Sequence, residues 1–583
     1  MNNRKIPISV WAPFAGDVAL RTGDRTLPLK RAEDGWWHLA EGLLPDTDYA
    51  FFTDGRGPFP DPRSMRLPNG VQGPSRTVDH GAFKWHDSGW RAPPLSSGVI
   101  YELHTGTFTE KATFDGVIER LDYLCDLGIT HIELMPVNSF SGTRGWGYDG
   151  VGLFAPQESY GGPEGLKRLV DACHGRGIAV LLDVVYNHLG PEGNYLEHFG
   201  PYFAGHYRSP WGDAVNLDGP YSHEVRRFFI DNALMWLSDY HLDGLRIDAV
   251  HALVDTSAIH FLEELSAAVR RLEAETGRPL VLIAESDLND PRVVTPTEAN
   301  GMGIDAQWSD DFHHAVHAVV TGEQGGYYAD FGRMEDIARA CTEVFVYGGR
   351  YSAFRKRVHG RPVEKLSGSR FLCYIQNHDQ IGNRAGGERI GHLADPGRIR
   401  AAAALVFFAP FVPMIFQGEE WGATTPFFYF TDHADESLGK AVREGRAREF
   451  AAFGWNPEDL VDPQAQETFA RSTLKWKEAD HEPHHATLRW YRDLIALRKT
   501  RACLKDGRLD RTTARFNETA RWIAISRGEL LLVCNFGQKE QCIPVKSAST
   551  ATLLLWSPEA PVIKPSAILL PANAAAIISR KER

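Results

Sequence analysis

Three acidic residues stand at the ends of strand-like segments of the sequence. In 243–251, apolar residues alternate with Arg246 and Asp248, so a strand would turn both charged side chains to one face. Two other apolar segments lead to Glu285 and to Asp379. Because the carboxyl ends of the strands of a parallel barrel meet on one face, we expect the three carboxylates to share one site. Carboxyl groups in different surroundings can divide the roles of proton donor and nucleophile.

Such a set of carboxylates suits the cleavage of a glycosidic bond, which needs a proton for the leaving oxygen and relief of positive charge at the anomeric carbon. If Asp248 and Glu285 stand on adjacent strands, the strand spacing of ~4.8 Å puts their carboxyls near the ~5 to 5.5 Å separation of a retaining enzyme. Arg246 should keep Asp248 ionised, whereas the apolar segment before Glu285 should raise its pKa. We therefore expect Asp248 to be the nucleophile, Glu285 the acid/base, and Asp379 a stabiliser that also binds sugar hydroxyls. A separation above about 10 Å between the first two carboxyls would exclude this mechanism.

The elements that must carry these residues follow a strand–helix repeat. Eight strand-like segments alternate with helices, which predicts a (β/α)8 barrel with insertions. The predicted strands are 99–104, 131–136, 179–185, 243–251, 281–286, 304–308, 371–379 and 413–417. The predicted helices are 114–127, 163–176, 222–240, 256–276, 312–320 and 488–498.

Short apolar runs separated by Gly, Pro and Asp turns flank this repeat on both sides, a pattern typical of β-sandwiches. The predicted fold class is therefore α/β, a (β/α)8 TIM barrel between two sandwiches. The predicted domains are an N-terminal sandwich of carbohydrate-binding or immunoglobulin-like type over 1–95, the barrel over 96–500, and a C-terminal sandwich over 501–583. Several domains are expected for 583 residues. Three aromatic residues, Trp11, Trp36 and Trp37, either form a sugar-binding platform or, as we prefer, fill a small core.

Composition narrows the classes of partner. The net charge of −12, from 63 basic and 75 acidic residues, argues against nucleic acid. No apolar region characteristic of a signal peptide follows the N-terminal charges, and the longest apolar run, 401–416, is too short for a membrane span. Seven cysteines without Cys-x-x-Cys spacing are expected to be reduced thiols. We therefore expect a cytoplasmic monomer or homodimer that binds neither nucleic acid nor membrane.

Other polar clusters leave alternatives open. His313 and His317 are four residues apart on a predicted helix, which could suit a metal ion, but no Glu-x-x-His motif or paired cysteines accompany them. Substrate hydrogen bonding is the preferred interpretation. Trp146 and Tyr148 either stack on a sugar ring or are buried, and 417–422 either packs at the barrel rim or contacts substrate. We expect no cofactor, no nucleotide site and no required metal.

Taken together, these motifs resemble the α-amylase family. Its four characteristic regions are matched, in order, by 183–188, 244–248, the segment that ends in Glu285, and 377–379. Within that family the sequence is similar to the maltooligosyltrehalose trehalohydrolases, from the N-terminal region to near residue 500. The similar segments are 102–108, 146–151, 186–194, 284–291, 304–308, 310–314, 376–384 and 417–422.

The resemblance implies hydrolysis of the α-1,4 bond that joins a maltooligosaccharide to the terminal trehalose of maltooligosyl trehalose, a substrate supplied by a maltooligosyltrehalose synthase. It implies the same roles for the three carboxylates. The residues implied in substrate contact are Tyr148, His188, Arg246, His251, Asp310, Asp311, His313, His314, His378, Gln380, Asn383 and Arg384. No Lys precedes His251, a departure from amylases, so recognition of the leaving group should differ.

Three other enzyme classes would use the same carboxylates: α-glucan branching enzymes, debranching enzymes and α-amylases. Analysis of the products separates transfer from hydrolysis. A glycan-binding protein that has lost its chemistry is the non-enzymatic alternative. The retention of three clustered acidic residues argues against it, because like charges held close together are costly.

Overall fold

The centre of the molecule is a closed barrel of eight parallel strands. The structure, a computed structural model, describes residues 5–209, 212–452, 461–545 and 551–580. Each barrel strand pairs with the next along the chain, and the eighth pairs with the first, which confirms the predicted fold class. The strands are β1 Ile100–Leu103, β2 His131–Leu134, β3 Ala179–Val184, β4 Gly244–Ile247, β5 Val281–Ala284, β6 Ala306–Trp308, β7 Phe371–Cys373 and β8 Val412–Phe416.

Helices cover the outside of this barrel and form parts of its loops. The longer ones are Gly162–His174, Ser222–Asp239, Phe261–Thr276, Asp310–Thr321, Met334–Glu343, Pro396–Phe408, Glu436–Ala452 and His484–Thr500. The shorter ones are Thr105–Phe108, Phe114–Ile118, Leu121–Leu127, His378–Gly382, Ile390–Leu393, Gln466–Ser472 and Ala502–Lys505. The predicted helix 114–127 is thus two helices, and the one predicted from residue 256 begins only at Phe261, where the ring of His260 accepts a hydrogen bond from the backbone N–H of Leu262 over 3.1 Å.

Two antiparallel sheets precede the barrel. One contains Ser9–Trp11, Trp36–His38 and Lys30–Arg31, and the other contains Arg25–Pro28, Val18–Thr22, Asp48–Thr53, Arg56–Phe59 and Ser75–Arg76. Trp11 and Trp37 are buried, and the ring of Trp11 packs edge-on against Tyr202 at 5.4 Å. Those two tryptophans therefore fill the core, as preferred. Trp36 is half-buried and lies against the guanidinium of Arg63 at 5.4 Å.

Two further antiparallel sheets follow the barrel. The larger has the strand order Thr512–Asn517, Trp522–Arg527, Leu530–Asn535, Ala574–Ser579 and Thr552–Ser557, and the smaller contains Gln541–Pro544, Ala567–Leu570 and Val562–Lys564. Arg527 donates hydrogen bonds to the carbonyls of Phe408 and Ala409, which ties the larger sheet to the end of a barrel helix. The domain boundaries at 95 and 500 stay predictions. All seven cysteines are free thiols, and no helix among the described residues is long and apolar enough to cross a membrane.

Candidate active site

The carboxyl ends of the barrel strands open into a cavity of about 750 Å³, a volume typical of sites that bind small molecules. Most of the residues singled out in the sequence line this cavity. They are Tyr148, His188, Arg246, Asp248, His251, Glu285, Asp310, His314, His378, Asp379, Gln380 and Asn383. Residues that are far apart along the chain are thus brought together, as the barrel geometry requires.

Arg246 stands at the centre of the acidic cluster. Its Nη1 lies 2.9 Å from Oδ1 of Asp248, and its Nη2 lies 2.9 Å from Oε2 of Glu285. Because both nitrogens belong to one planar guanidinium, the two carboxyl groups lie within about 8 Å of each other. That separation is below the limit that would have excluded a hydrolytic pair. The guanidinium stacks 4.1 Å from the ring centroid of Trp308.

Local backbone geometry fixes both carboxylates. Asp248 directly follows β4, and its Oδ2 accepts a hydrogen bond of 2.7 Å from the side-chain amide of Asn187. Ala249 adopts φ 40°, a left-handed conformation that costs a non-glycine residue of order 1 kcal/mol. This turn lets the Ala249 N–H donate to Oε2 of Glu285 over 2.8 Å. Asn187 was missed in the sequence, although it lies beside His188 in a segment already singled out.

The two carboxyl groups have opposite pKa shifts. Burial alone would raise the pKa of Asp248, but the neighbouring Arg246 and His188 hold it below its usual value. Burial raises the pKa of Glu285 well above its usual value, against the charge of Arg246, and the nearby carboxylates Asp248 and Asp379 add to the rise. An ionised nucleophile beside a protonated acid is therefore favoured at neutral pH.

A chain of hydrogen bonds leads from Arg246 through Asp183, Tyr148 and His378 to Glu102. Nη1 of Arg246 contacts both oxygens of Asp183 at 2.7 Å. The hydroxyl of Tyr148 donates to Asp183 over 2.5 Å and lies 2.8 Å from Nε2 of His378, whose Nδ1 lies 2.5 Å from Oε1 of Glu102. The tyrosine hydroxyl has a single proton, which it donates to Asp183, so Nε2–H of His378 donates to the hydroxyl and Nδ1–H of His378 donates to Glu102. Because both ring nitrogens then carry a proton, His378 is an imidazolium. Burial lowers the pKa of His378, but the charge and hydrogen bond of Glu102 outweigh burial and raise it.

Asp379 reaches the site from a short helix rather than from the predicted strand. The strand predicted over 371–379 was wrong in its second half, since β7 ends at Cys373 and Asp379 lies in the helix His378–Gly382. The side chain of Asn377 caps this helix by accepting a hydrogen bond of 2.9 Å from the Asp379 N–H, and such caps favour helix over strand. The side-chain amide of Asn383 donates to Oδ1 of Asp379 over 2.5 Å.

The helix Asp310–Thr321 divides its predicted site residues between two faces. Asp310 and His314 are one helical turn apart and line the cavity. Asp311 is buried away from it and accepts hydrogen bonds from a side-chain amide and a backbone N–H. Both ring nitrogens of His313 are 2.8 Å from other oxygens, one of a backbone carbonyl and one of a tyrosine. The prediction that Asp311 and His313 contact the substrate is therefore wrong, because the periodicity of the helix turns both side chains away from the cavity.

Arg384 also lies outside the main cavity. Its guanidinium pairs with Glu323 at 2.8 Å, and Glu323 also accepts from Nε2 of His317 at 2.7 Å. The hydrogen bonds from His317 and Arg384 lower the pKa of Glu323 to about 2, despite partial burial. His317 is therefore engaged in a hydrogen bond to Glu323, and burial lowers the pKa of its ring. In the described part of the chain no three His, Cys, Asp or Glu side chains are grouped to hold a metal ion; that none is required stays a prediction.

Some residues lining the cavity carry no motif that could have marked them. Leu438, Val442 and Arg446 project into the cavity from the helix Glu436–Ala452, which follows β8. Their spacing of four residues is the one signal in the sequence, and it shows only that they share a helical face. The other lining residues missed in the sequence include Tyr327, Phe354, Arg355, Tyr429 and His433. Asp149, Leu189 and Asp287 also line the cavity, but they lie within the segments 146–151, 186–194 and 284–291 that the sequence analysis had already given.

Comparisons with known proteins agree with this geometry. The family description "Alpha amylase, catalytic domain" matches residues 98–208. The malto-oligosyltrehalose trehalohydrolase of Arthrobacter ramosus is 54% identical over 503 residues, 85% of this chain and 87% of that protein. That of Mycobacterium tuberculosis H37Rv is 47% identical over 580 residues, 98% and 99% of the two chains. A solved Salmonella typhimurium structure with the provisional description alpha amylase has a TM-score of 0.91 and 38% identity, covering 98% and 97%.

The barrel, its carboxylates and these relatives define a glycoside hydrolase of the α-amylase family. At this identity over nearly the full length of both proteins, the finer assignment follows as well. The chain belongs to the malto-oligosyltrehalose trehalohydrolase family.

Gly382 leaves room for the indole of Trp146 beside the site. A Cβ atom on Gly382 would lie 1.9 Å from Cζ2 of this buried ring. We expect Gly382→Ala to displace the ring and lower kcat/KM by about 10- to 100-fold, because small displacements near reacting groups are costly. The control is Gly391→Ala, since a Cβ there meets nothing within 4 Å. Equal kcat/KM for both variants would contradict the prediction.

Glu133 is a carboxyl group without a partner inside the barrel. It pairs in register with Glu102, is 1% exposed, and neither of its oxygens has a hydrogen-bond partner among the described residues. Burial raises its pKa well above the usual value, and the charge of Glu102 raises it further. The folded protein therefore keeps Glu133 protonated at a pH where the unfolded chain ionises it.

This difference makes the stability contribution of Glu133 depend on pH. The contribution is fully present below the unfolded pKa and is lost as pH rises toward the raised folded pKa. We expect Glu133→Gln to gain stability relative to wild type from pH 5 to pH 8, by up to about 1.4 kcal/mol per pH unit. Urea unfolding at each pH measures it. Glu110→Gln, at an exposed position, is the control, and a difference for Glu133→Gln that does not change with pH would contradict the assignment.

Proposed function

We propose that this protein is a 4-α-D-{(1->4)-α-D-glucano}trehalose trehalohydrolase, which cleaves the α-1,4 bond next to the terminal trehalose of maltooligosyl trehalose. The main observation in support of this proposal is that Arg246 contacts both Asp248 and Glu285 in the cavity that Asp379 also lines. The names of the most similar relatives supply the substrate. The proposal includes a cytoplasmic monomer or homodimer that acts after a maltooligosyltrehalose synthase.

In the first step of the proposed reaction, Glu285 donates its proton to the glycosidic oxygen while Asp248 attacks the anomeric carbon. The bond between that carbon and the glycosidic oxygen breaks, trehalose leaves with the proton, and a glycosyl ester forms on Asp248. The raised pKa of Glu285 and the lowered pKa of Asp248 supply the required proton states. Asp379 stabilises the positive charge that develops on the sugar ring.

In the second step, ionised Glu285 removes a proton from water, and the water oxygen attacks the same carbon. The ester bond to Asp248 breaks, and both carboxyl groups return to their starting states. Two inversions at one carbon retain its configuration. The residues proposed to contact sugar hydroxyls from the cavity wall are Tyr148, His188, His251, Asp310, His314, His378 and Gln380.

The deciding experiment compares two substrates of equal length, maltopentaosyl trehalose and maltoheptaose. Products are separated by thin-layer chromatography and identified by mass spectrometry. We expect free trehalose and maltopentaose from the first substrate and little cleavage of the second. Equal cleavage of both would indicate a general amylase, and longer branched glucans formed from amylose would indicate a branching enzyme. Asp248→Ala tests the binding-protein alternative, because a binding-only protein would show no hydrolysis for that substitution to remove.

The stereochemical course needs a separate measurement. Proton NMR spectra recorded immediately after mixing enzyme with substrate report the anomer of the new reducing end before it equilibrates. A retaining enzyme gives the α anomer first. Initial formation of the β anomer would contradict the role of Asp248 as nucleophile and indicate direct attack by water.

A further inference from the structure

Asp379 is held by a residue whose own orientation is set from outside the barrel. The side-chain nitrogen of Asn383 donates to Oδ1 of Asp379 over 2.5 Å, while the backbone N–H of Asn383 donates to the Asp379 carbonyl over 3.1 Å. Asn383 is the residue that directly follows the helix His378–Gly382. The position of the carboxylate therefore depends on which end of the Asn383 amide faces it.

Arg446 contacts the opposite end of that amide. Its Nη1 donates to Oδ1 of Asn383 over 2.6 Å, and its Nη2 donates to the carbonyl of Gly382 over 3.0 Å. The guanidinium also stacks 4.8 Å from the ring centroid of Tyr429. Two hydrogen bonds to two different acceptors hold a planar guanidinium in one orientation.

This arrangement fixes the direction of the amide. An amide has an acceptor oxygen on one side and two donor hydrogens on the other. If Asn383 rotated by half a turn, its oxygen would face the Asp379 carboxylate and its NH2 would face the Arg446 donors. Both contacts would then be repulsive. The cation at the oxygen end therefore selects the orientation in which Asn383 donates to Asp379.

We propose that Arg446 is a positioning residue for Asp379 and acts through the side-chain amide of Asn383. The proposal rests on the proposed function, in which Asp379 stabilises charge on the sugar. The guanidinium comes from the helix Glu436–Ala452, which follows β8 and lies outside the strand–helix repeat of the barrel. That helix is then part of the catalytic apparatus and not only a wall of the cavity.

Arg446 also lines the cavity, so the experiment must separate positioning from direct contact with substrate. Four proteins are compared on maltopentaosyl trehalose: wild type, Arg446→Met, Asn383→Ala and the double variant. Methionine keeps an unbranched apolar stem against Tyr429 and removes the donors. We expect each single variant to lower kcat by about 10- to 100-fold, with KM changed much less. The double variant should be no slower than the slower single variant, because both substitutions interrupt the same path.

The matched control is Arg443→Ala on the same helix. Arg443 is exposed, pairs with Asp462 at 2.7 Å and does not line the main cavity, so kcat should stay close to that of wild type. Arg446→Lys keeps one charged donor for Asn383 and should recover part of the lost kcat. Thermal unfolding of every variant shows whether the fold is kept.

Three results would overturn the proposal. The first is a double variant whose loss of kcat equals the product of the two single losses. The second is an Arg446→Met variant as active as Arg443→Ala. The third is a lowered melting temperature with unchanged kcat, which would make Arg446 only an anchor for its helix. If wild type itself releases no trehalose, the proposed function fails instead.

Discussion

Asp248→Asn is expected to lower kcat on maltooligosyl trehalose by about 10⁴-fold or more, in the range seen when an enzyme loses its nucleophile. A neutral amide is a poor nucleophile, so the glycosyl ester cannot form. Asparagine has nearly the shape of aspartate, and its oxygen can still accept from Arg246, which lies 2.9 Å from Oδ1 of Asp248. The fold should therefore persist while the chemistry stops. Steady-state assays of trehalose release, together with thermal unfolding, measure both effects.

A smaller replacement identifies the role of the residue directly. Asp248→Gly leaves room for azide, which can attack the anomeric carbon while Glu285 protonates the leaving oxygen. The expected product is a glycosyl azide of β configuration, because this reaction contains a single inversion. Asp126→Asn, at an exposed position on the helix Leu121–Leu127, is the control and should keep wild-type kcat. An Asp248→Asn variant that retains more than about a hundredth of wild-type kcat would contradict the assignment, because loss of a nucleophile costs far more.

The convergence of the three carboxylates could be predicted because a parallel barrel gathers the carboxyl ends of its strands on one face. Asp248 and Glu285 directly follow β4 and β5, so their proximity follows from the strand order. The pKa shifts were also predictable, since Arg246 is two residues before Asp248 and an apolar strand precedes Glu285. These features depend on local sequence and on one regular architecture.

Other features depend on details that periodicity does not contain. The residues 310–314 form one recognisable motif, yet helical geometry turns Asp310 and His314 to the cavity and Asp311 and His313 away from it. To predict which of these residues face the cavity, one must know how the helix is rotated about its own axis relative to the barrel. The end of β7 depends on Asn377 as a helix cap, a local signal that the apolar run before it obscured.

Long-range contacts were the least predictable part of the site. Arg446 lies more than sixty positions after Asn383 in a polar segment, and only the folded chain brings their side chains to 2.6 Å. Glu133 is similar in this respect, because a single acidic residue in an apolar strand gives no sign of whether a cation will reach it. The contact of Arg446 with Asn383 and the lack of a partner for Glu133 among the described residues both depend on how the loops and the barrel interior pack.

Arg246→Met is expected to lower the free energy of unfolding by about 3 to 5 kcal/mol, the cost of leaving a buried charge without its partner. The guanidinium is 1% exposed and contacts three carboxyl groups, those of Asp183, Asp248 and Glu285. A methionine side chain can fill part of the volume beside Trp308 but cannot compensate the charges of the two aspartates. Catalysis should be lost as well, because Asp248 would no longer be held ionised.

The dependence of this loss on pH distinguishes charge from packing. In wild type the lowered pKa of Asp248 contributes stability above the unfolded pKa of about 3.9. Without Arg246, burial should raise the pKa of Asp248 and should further raise that of Asp183, which burial already brings to about 6 in wild type. The variant is therefore stabilised at low pH and loses that stability as pH rises. The difference between wild type and variant should therefore widen from pH 4 to pH 8. A purely steric defect would give a constant difference.

Two further proteins complete the test by thermal and urea unfolding. Arg271→Met, at an exposed position on the helix Phe261–Thr276, should change stability by less than about 0.5 kcal/mol at any pH. Adding Asp183→Asn to Arg246→Met removes one uncompensated charge and should restore part of the lost stability at pH 8 but little at pH 4. If Asp183→Asn restored the same stability at pH 8 and at pH 4, the volume of the guanidinium, rather than its charge, would account for its stabilising effect.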